Sequence, residues 1–193
     1  MVSVMTIKHQ KKHCVAVTGH RFIPSDVRLR DSVHRVLAKI LEGQMPHPVV
    51  LLSALAEGAD QLVAEMAMDF SEIELHVPLP KPEERYLDDF TNDSGKQAYR
   101  ELRLRAREMI PLSHSDDEGN AYQALGEYLI NHAGVLIALW NGVFNQQKGG
   151  TGDVVQTALD AEVPVYWIYC PNQKPGEINT LGYEKQIGEI EAL

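Results

Sequence analysis

The sequence predicts an α/β fold: a doubly wound, mostly parallel sheet of five strands with helices on both faces. Three observations carry this expectation. Strand-like and helix-like segments alternate along the chain. The strand-like segments are continuous apolar runs, such as VLIALW at 135–140, rather than the alternating runs of a half-exposed sheet. Small and polar residues gather just beyond the ends of those runs.

Residues 13–18 form the first strand, closed by Gly19. Pro24, Ser25 and Asp26 signal a helix start, and Val33, Val36, Leu37, Ile40 and Leu41 follow at helical spacing until Gly43 and Pro46 end the run. Residues 48–53 are the second strand. Beyond Gly58, the positions Leu62, Val63, Met66, Ala67 and Phe70 make an amphipathic helix. Residues 73–77 are the third strand, closed by Pro78 and Pro80. Residues 81–95 are polar, with Tyr86, Leu87 and Phe90 as anchors, and 96–110 read as a helix through Tyr99, Leu102, Ala106 and Met109.

An acidic loop at 114–120 follows, and Tyr122, Leu125, Leu129 and His132 mark the next helix. Strand four is 135–140. A glycine-rich turn then leads into a helix that runs to about Ala161, and strand five is 163–169. The tail beyond Pro171 reads as a loop with at most a short last helix. Right-handed crossovers suggest a Rossmann-like sheet with strand order 3-2-1-4-5. The chain, 1–193, reads as a single domain with a basic N-terminal arm at 1–12 and a C-terminal tail at 171–193.

Composition narrows the function classes. The hydrophobic fraction of 44% and charged fraction of 23% are ordinary for a globular protein. No apolar run approaches the roughly 20 residues that cross a bilayer, so no membrane association is expected. The first residues show no apolar stretch with a small-residue cleavage site, and Cys14 and Cys170 sit in apolar runs that make no disulfide framework. A cytoplasmic location is the expectation. The net charge of −9 argues against a duplex nucleic-acid partner. Positive charge gathers at residues 8–13 and at Arg100, Arg103 and Arg107, whose spacing places them on one helical face. That stripe reads as a solvated or oligomer-facing surface, with single-stranded DNA as the alternative. The helices over 96–132 are candidates for a dimer face.

In a doubly wound sheet, ligands bind beyond the carboxyl ends of the strands. Three segments arrive there: Thr18-Gly19-His20-Arg21, Ser53-Ala54-Leu55-Ala56-Glu57-Gly58-Ala59-Asp60, and Trp140-Asn141-Gly142 with Gly149-Gly150-Thr151-Gly152-Asp153. Glycine lets a ligand approach the backbone, and the helix that follows offers unpaired N–H groups to a phosphate. Thr151 is placed to cap that helix or to donate to the phosphate. His20 and Arg21 are candidate phosphate or sugar contacts, with an acidic partner for Arg21 as the structural alternative. Ser53, Glu57 and Asp60 are candidates for ribose hydroxyls or acid–base work, although Glu57 or Asp60 could instead stabilise a helix N-terminus. Trp140 and Tyr86 are candidates to stack on a base or to fill the core. The cysteines and histidines take no metal-ligand spacing, so neither a metal nor another cofactor is expected. No P-loop, GxGxxG or GxSxG motif is present.

These segments resemble the SLOG superfamily, which unites DNA-processing protein A (Smf) with the Lonely guy (LOG) nucleotide phosphoribohydrolases, and most closely its nucleotide-sensor-like bacterial branches. The family's TGHR is similar to Thr18 to Arg21. Its S-x-L-A-x-G-x-D is similar to Ser53, Leu55, Ala56, Gly58 and Asp60, and its LIALWDG and GGT to residues 136–142 and 149–151. The resemblance covers roughly residues 13–170. It implies a nucleotide or nucleotide-derived ligand at these loops, held by a sensor or binding domain. An N-glycosidic-bond hydrolase is the alternative, and a single-stranded DNA binder is a third. The hydrolase branch carries PGGxGTxxE, whose glutamate takes part in cleavage. Here Asp153 stands where its threonine is expected and Gln156 where its glutamate is expected, leaving Glu57, Asp60 and Asp153 as the candidate catalytic carboxylates.

Overall fold

The computed structural model describes residues 13–42, 48–112, 118–144, 148–176 and 185–193. In chain order the elements are β1 (Cys14–Gly19), α1 (Val27–Glu42), β2 (Val49–Leu52), α2 (Ala59–Ala67), β3 (Ile73–Leu79), α3 (Glu83–Leu87), α4 (Asp93–Arg105), β4 (Glu108–Pro111), α5 (Glu118–His132), β5 (Val135–Trp140), α6 (Thr151–Asp160), β6 (Val165–Tyr169) and β7 (Ile190–Ala192). The expected basic arm at 1–12, the helix-ending Gly43 and Pro46, and residues 114–117 of the expected acidic loop lie outside the described residues.

The strands form one mostly parallel sheet in the order β4-β3-β2-β1-β5-β6-β7. Among the described residues, only β6 and β7 pair antiparallel. The five expected strands are all present and in the expected order, as β3-β2-β1-β5-β6. The expected count of five is corrected to seven, because an edge strand is added on each side. β4 arises inside the stretch read as the end of a helix. The backbone turns extended at Ala106, and the Arg107 N–H then bonds the Leu75 carbonyl at 2.7 Å, which starts the pairing with β3. Arg107 therefore leaves the helix, and the expected one-faced stripe of Arg100, Arg103 and Arg107 is broken. β7 forms in the tail read as a loop, where Val165 and Leu193 exchange main-chain bonds of 3.1 and 2.9 Å. Both edge strands are short and largely solvent-facing, so neither carries the apolar run that marks a buried strand.

Local sequence explains where the main helices begin. The Asp26 carboxylate accepts the Arg28 N–H at 2.9 Å and caps α1, which buries Leu29, Val33, Val36, Leu37 and Ile40. Asn92 caps α4 by accepting the Gly95 N–H at 2.7 Å. The anchors Tyr86 and Phe90 are buried with Tyr99, their rings meeting edge-on at 5.4 to 6.1 Å. Among the described residues, no helix is long and apolar enough to cross a membrane.

The winding order positions the site. From β1 the chain steps outward through β2, β3 and β4, then returns to the other side of β1 and steps outward again through β5 and β6. With right-handed crossovers this reversal puts α1, α2 and α4 on one face and α5 and α6 on the other. The packing agrees: α2 rests on both α1 and α4, and α5 rests on α6. Helices diverge from the carboxyl ends of β1 and β5, and a crevice opens between them.

Candidate functional site

The loops at that crevice are locked to one another through the main chain. The His20 N–H donates to the Leu139 carbonyl at 3.1 Å, and the His20 carbonyl accepts the Ala59 N–H at 3.0 Å. The Asn141 N–H donates to His20 Nε2 at 3.1 Å, with this ring nitrogen as the acceptor. The Gln173 N–H reaches the Phe22 carbonyl at 2.7 Å and adds the loop after β6. Segments expected to converge from separate strands therefore do so, and they hold one another in place.

Two of the predicted glycines serve that locking. A Cβ on Gly19 would lie 2.4 Å from the Ala59 Cβ and 2.7 Å from the Leu139 carbonyl oxygen. Gly58, at φ +84°, would meet the Arg21 carbonyl oxygen at 2.2 Å. Gly149, at φ +68°, lies against the Tyr122–Gln123 backbone of α5. Close approach is the reason for these glycines, but the approaching group is another loop or a helix.

Between the loops lies a cleft of about 620 Å³, within the size range of small-molecule sites. Thr18, Gly19, His20, Arg21, Asp60, Trp140, Asn141, Gly149, Gly150, Thr151 and Gly152 line it. Residues that sequence reasoning did not single out join them: Asp89, Tyr122, Lys148, Asn172 and Lys174. No motif spacing points to these, because they come from four loops and helices far apart in sequence. Tyr86, a stacking candidate by sequence, also lines the cleft but is wholly buried.

At the β5 end, Gly150 is the N-cap of α6 and supplies no side-chain cap. The N–H groups of Thr151, Gly152 and Asp153 have no acceptor among the described residues, and they carry the positive end of the helix dipole. Asp153 is not in the cleft lining. Its Oδ2 accepts the Gly149 N–H at 2.8 Å and closes the glycine turn. Lys148 and Lys174 add exposed positive charge at the mouth.

At the β2 end, Arg21 donates from Nη1 to the Asp89 carbonyl at 3.1 Å and from Nη2 to the Tyr122 hydroxyl at 2.9 Å. Tyr122 in turn donates to the Asp89 carboxylate, which also accepts from the buried Lys81 Nζ at 2.8 Å. Burial alone would raise the Asp89 carboxyl, but the Lys81 and Tyr122 hydrogen bonds outweigh it and hold it below its ordinary value. The Tyr122 phenol is pushed up to about 12, by burial first and by Asp89 second. Arg21 is thus anchored through two of its five N–H donors.

Asp60 faces this end of the cleft from the first turn of α2. Burial pushes its carboxyl up to about 7, against the pull of the Ala56 and Ala54 main chain, Arg21 and Ser53. Ser53 and Glu57 do not line the cleft. The Ser53 hydroxyl accepts the Leu55 N–H at 3.2 Å and reaches the Asp60 carbonyl at 3.3 Å, bracing a turn in which Leu55 adopts φ +59°. The Glu57 carboxylate accepts the Thr91 and Asn92 N–H groups at 2.8 and 3.3 Å, in front of α4. Trp140 lines the cleft while 2% exposed, its ring edge-on to Phe144. Gln156 is exposed on α6 and bonds Asp160 at 2.8 Å.

Among the described residues no group of histidine, cysteine and carboxylate side chains is arranged to hold a metal ion. Compared with known proteins, the chain matches no protein-family model and no curated sequence.

Proposed function

We propose that the cleft is the binding site of a nucleotide or nucleotide-derived small molecule, in a Rossmann-like sensor or binding domain. One observation carries the reading: Arg21, Lys148, Lys174 and the uncapped N-terminus of α6 all border one cleft in a chain whose net charge is −9. Such a concentration of donors against the overall charge suits an anion, and a phosphate fits the α6 end. The locked loops favour binding without rearrangement, since a preorganised site loses little entropy when it is filled. A thermal-shift series with AMP, GMP, ADP-ribose, NAD and cyclic nucleotides tests the reading. Ligand at about 100 times its dissociation constant adds roughly 2.7 kcal/mol of stability. Arg21→Ala should remove most of the shift. No shift with any of these nucleotides would overturn the proposal.

A second reading, cleavage of the N-glycosidic bond, draws support from Asp60. A carboxyl that titrates near 7 can exchange a proton at neutral pH, as a general acid or base must. Glu57 and Asp153 do not line the cleft, which leaves Asp60 of these three carboxyls for this role. Chromatography of each bound nucleotide for released base decides between the readings, with Asp60→Asn as the control. The single-stranded DNA alternative has less behind it, because Arg103 pairs with Glu83 and Arg107 is off the helix.

A further inference from the structure

Tyr86 poses a problem that the fold alone does not solve. Its side chain is 0% exposed, and its hydroxyl has no hydrogen-bond partner among the described residues. A buried hydroxyl without a partner destabilises the fold, and a phenylalanine would fill the same space without that cost. Yet Tyr86 lines the cleft beside Asp60 and Arg21, and the charges of both act on its phenol. Arg21 commits two of its five N–H donors to Asp89 and Tyr122, and the other three have no acceptor among the described residues. Asp60 supplies an acceptor at the same corner, where it is 8% exposed.

We propose that Tyr86, Asp60 and Arg21 form a second subsite, which takes an uncharged group of the ligand carrying a hydrogen-bond donor next to an acceptor. The inference rests on the nucleotide reading and assigns the end of the ligand remote from its phosphate. A second phosphate is disfavoured there, because Asp60 and Asp89 would face it with carboxylates. β2 and β5 flank β1 in the sheet, so this corner lies about two strand spacings, on the order of 10 Å, from the α6 end. A nucleotide can offer the required chemistry from a sugar diol or from the amide or amidine edge of its base. In either case the ligand donates to Asp60 and accepts from Tyr86 or Arg21.

The test compares wild type with Tyr86→Phe by calorimetric titration with AMP, GMP and inorganic pyrophosphate. The phenylalanine variant should bind the nucleotides about 2- to 10-fold more weakly, the loss of one neutral hydrogen bond. Its pyrophosphate affinity should be unchanged, and its melting temperature without ligand should equal or exceed that of wild type. Asp60→Ala, which removes the acceptor, gives an independent comparison, with the same selective loss. If the sugar is the source, 2′,3′-dideoxy-AMP binds wild type and Tyr86→Phe alike. If the base is the source, ribose 5-phosphate does so. Nucleotide affinity unchanged in both variants, or a pyrophosphate affinity that falls in parallel, overturns the subsite while the nucleotide reading stands. Wild type that binds no nucleotide overturns both.

Discussion

A Cβ on Gly58 would stand 2.2 Å from the carbonyl oxygen of Arg21. Two motifs far apart in the expected ligand site are thereby pressed together, backbone to backbone. Gly58→Ala meets both this clash and an unfavourable φ of +84°, and should cost on the order of 3 kcal/mol. Urea unfolding measures it. A loss under about 1 kcal/mol would mean that the loops can separate without harm.

Asp153 illustrates how a carboxylate in a suggestive position can be structural. Asp153→Asn keeps an oxygen to accept the Gly149 N–H and should leave stability nearly unchanged, whereas Asp153→Ala should lose about 1 kcal/mol with that hydrogen bond. If Asp153 were a catalytic carboxylate, the asparagine variant would instead lose turnover with its stability intact. Paired melting curves and base-release assays separate the two outcomes.

The network around Arg21 gives a sharper test of what holds the β2 end together. Tyr122→Phe removes the hydroxyl that links Arg21 to the Asp89 carboxylate, while its ring remains under Arg21 and Lys81 at 5.5 and 5.2 Å. Hydrogen bonds to charged groups are worth roughly 1.5–3 kcal/mol, so a destabilisation of about 2 kcal/mol is expected in denaturant melts. A change below about 0.5 kcal/mol would show that Arg21 is held by other means.

Asp60 predicts a pH dependence of definite sign. Its folded value of about 7 lies above the ordinary 3.8, so between these the native protein keeps a proton that the unfolded chain has lost. Its contribution to stability therefore falls as pH rises from about 4 to about 7, then levels off, by a few kcal/mol in all. Asp60→Asn removes this titration. The variant should match wild type near pH 4 and exceed it in stability by a few kcal/mol at pH 8. Urea midpoints at pH 4, 6 and 8 check this, and a difference that is constant with pH would refute it.

The sequence by itself determined the inner sheet. Continuous apolar runs such as 135–140 have no favourable place except a strand covered on both faces, and the intervening helical spacing forces parallel crossovers. It also located the convergence of Thr18–Arg21, Asp60 and Gly149–Gly152, because all three follow the carboxyl ends of parallel strands and so arrive at one edge of the sheet. The tertiary structure decided the rest. β4 and β7 exist because edge strands are made by main-chain pairing with a neighbour, which leaves no periodic signature in their own side chains. Whether a carboxylate faces a ligand or a loop depends on neighbours distant in sequence. Glu57 and Asp60 are three residues apart, yet Glu57 turns to the N–H groups of Thr91 and Asn92, and Asp60 turns to the cleft. Tyr86, Tyr122 and Asp89 meet Arg21 there only because the chain folds α3 and α5 over the end of β1, a contact that burial and long-range hydrogen bonding select and no local pattern encodes.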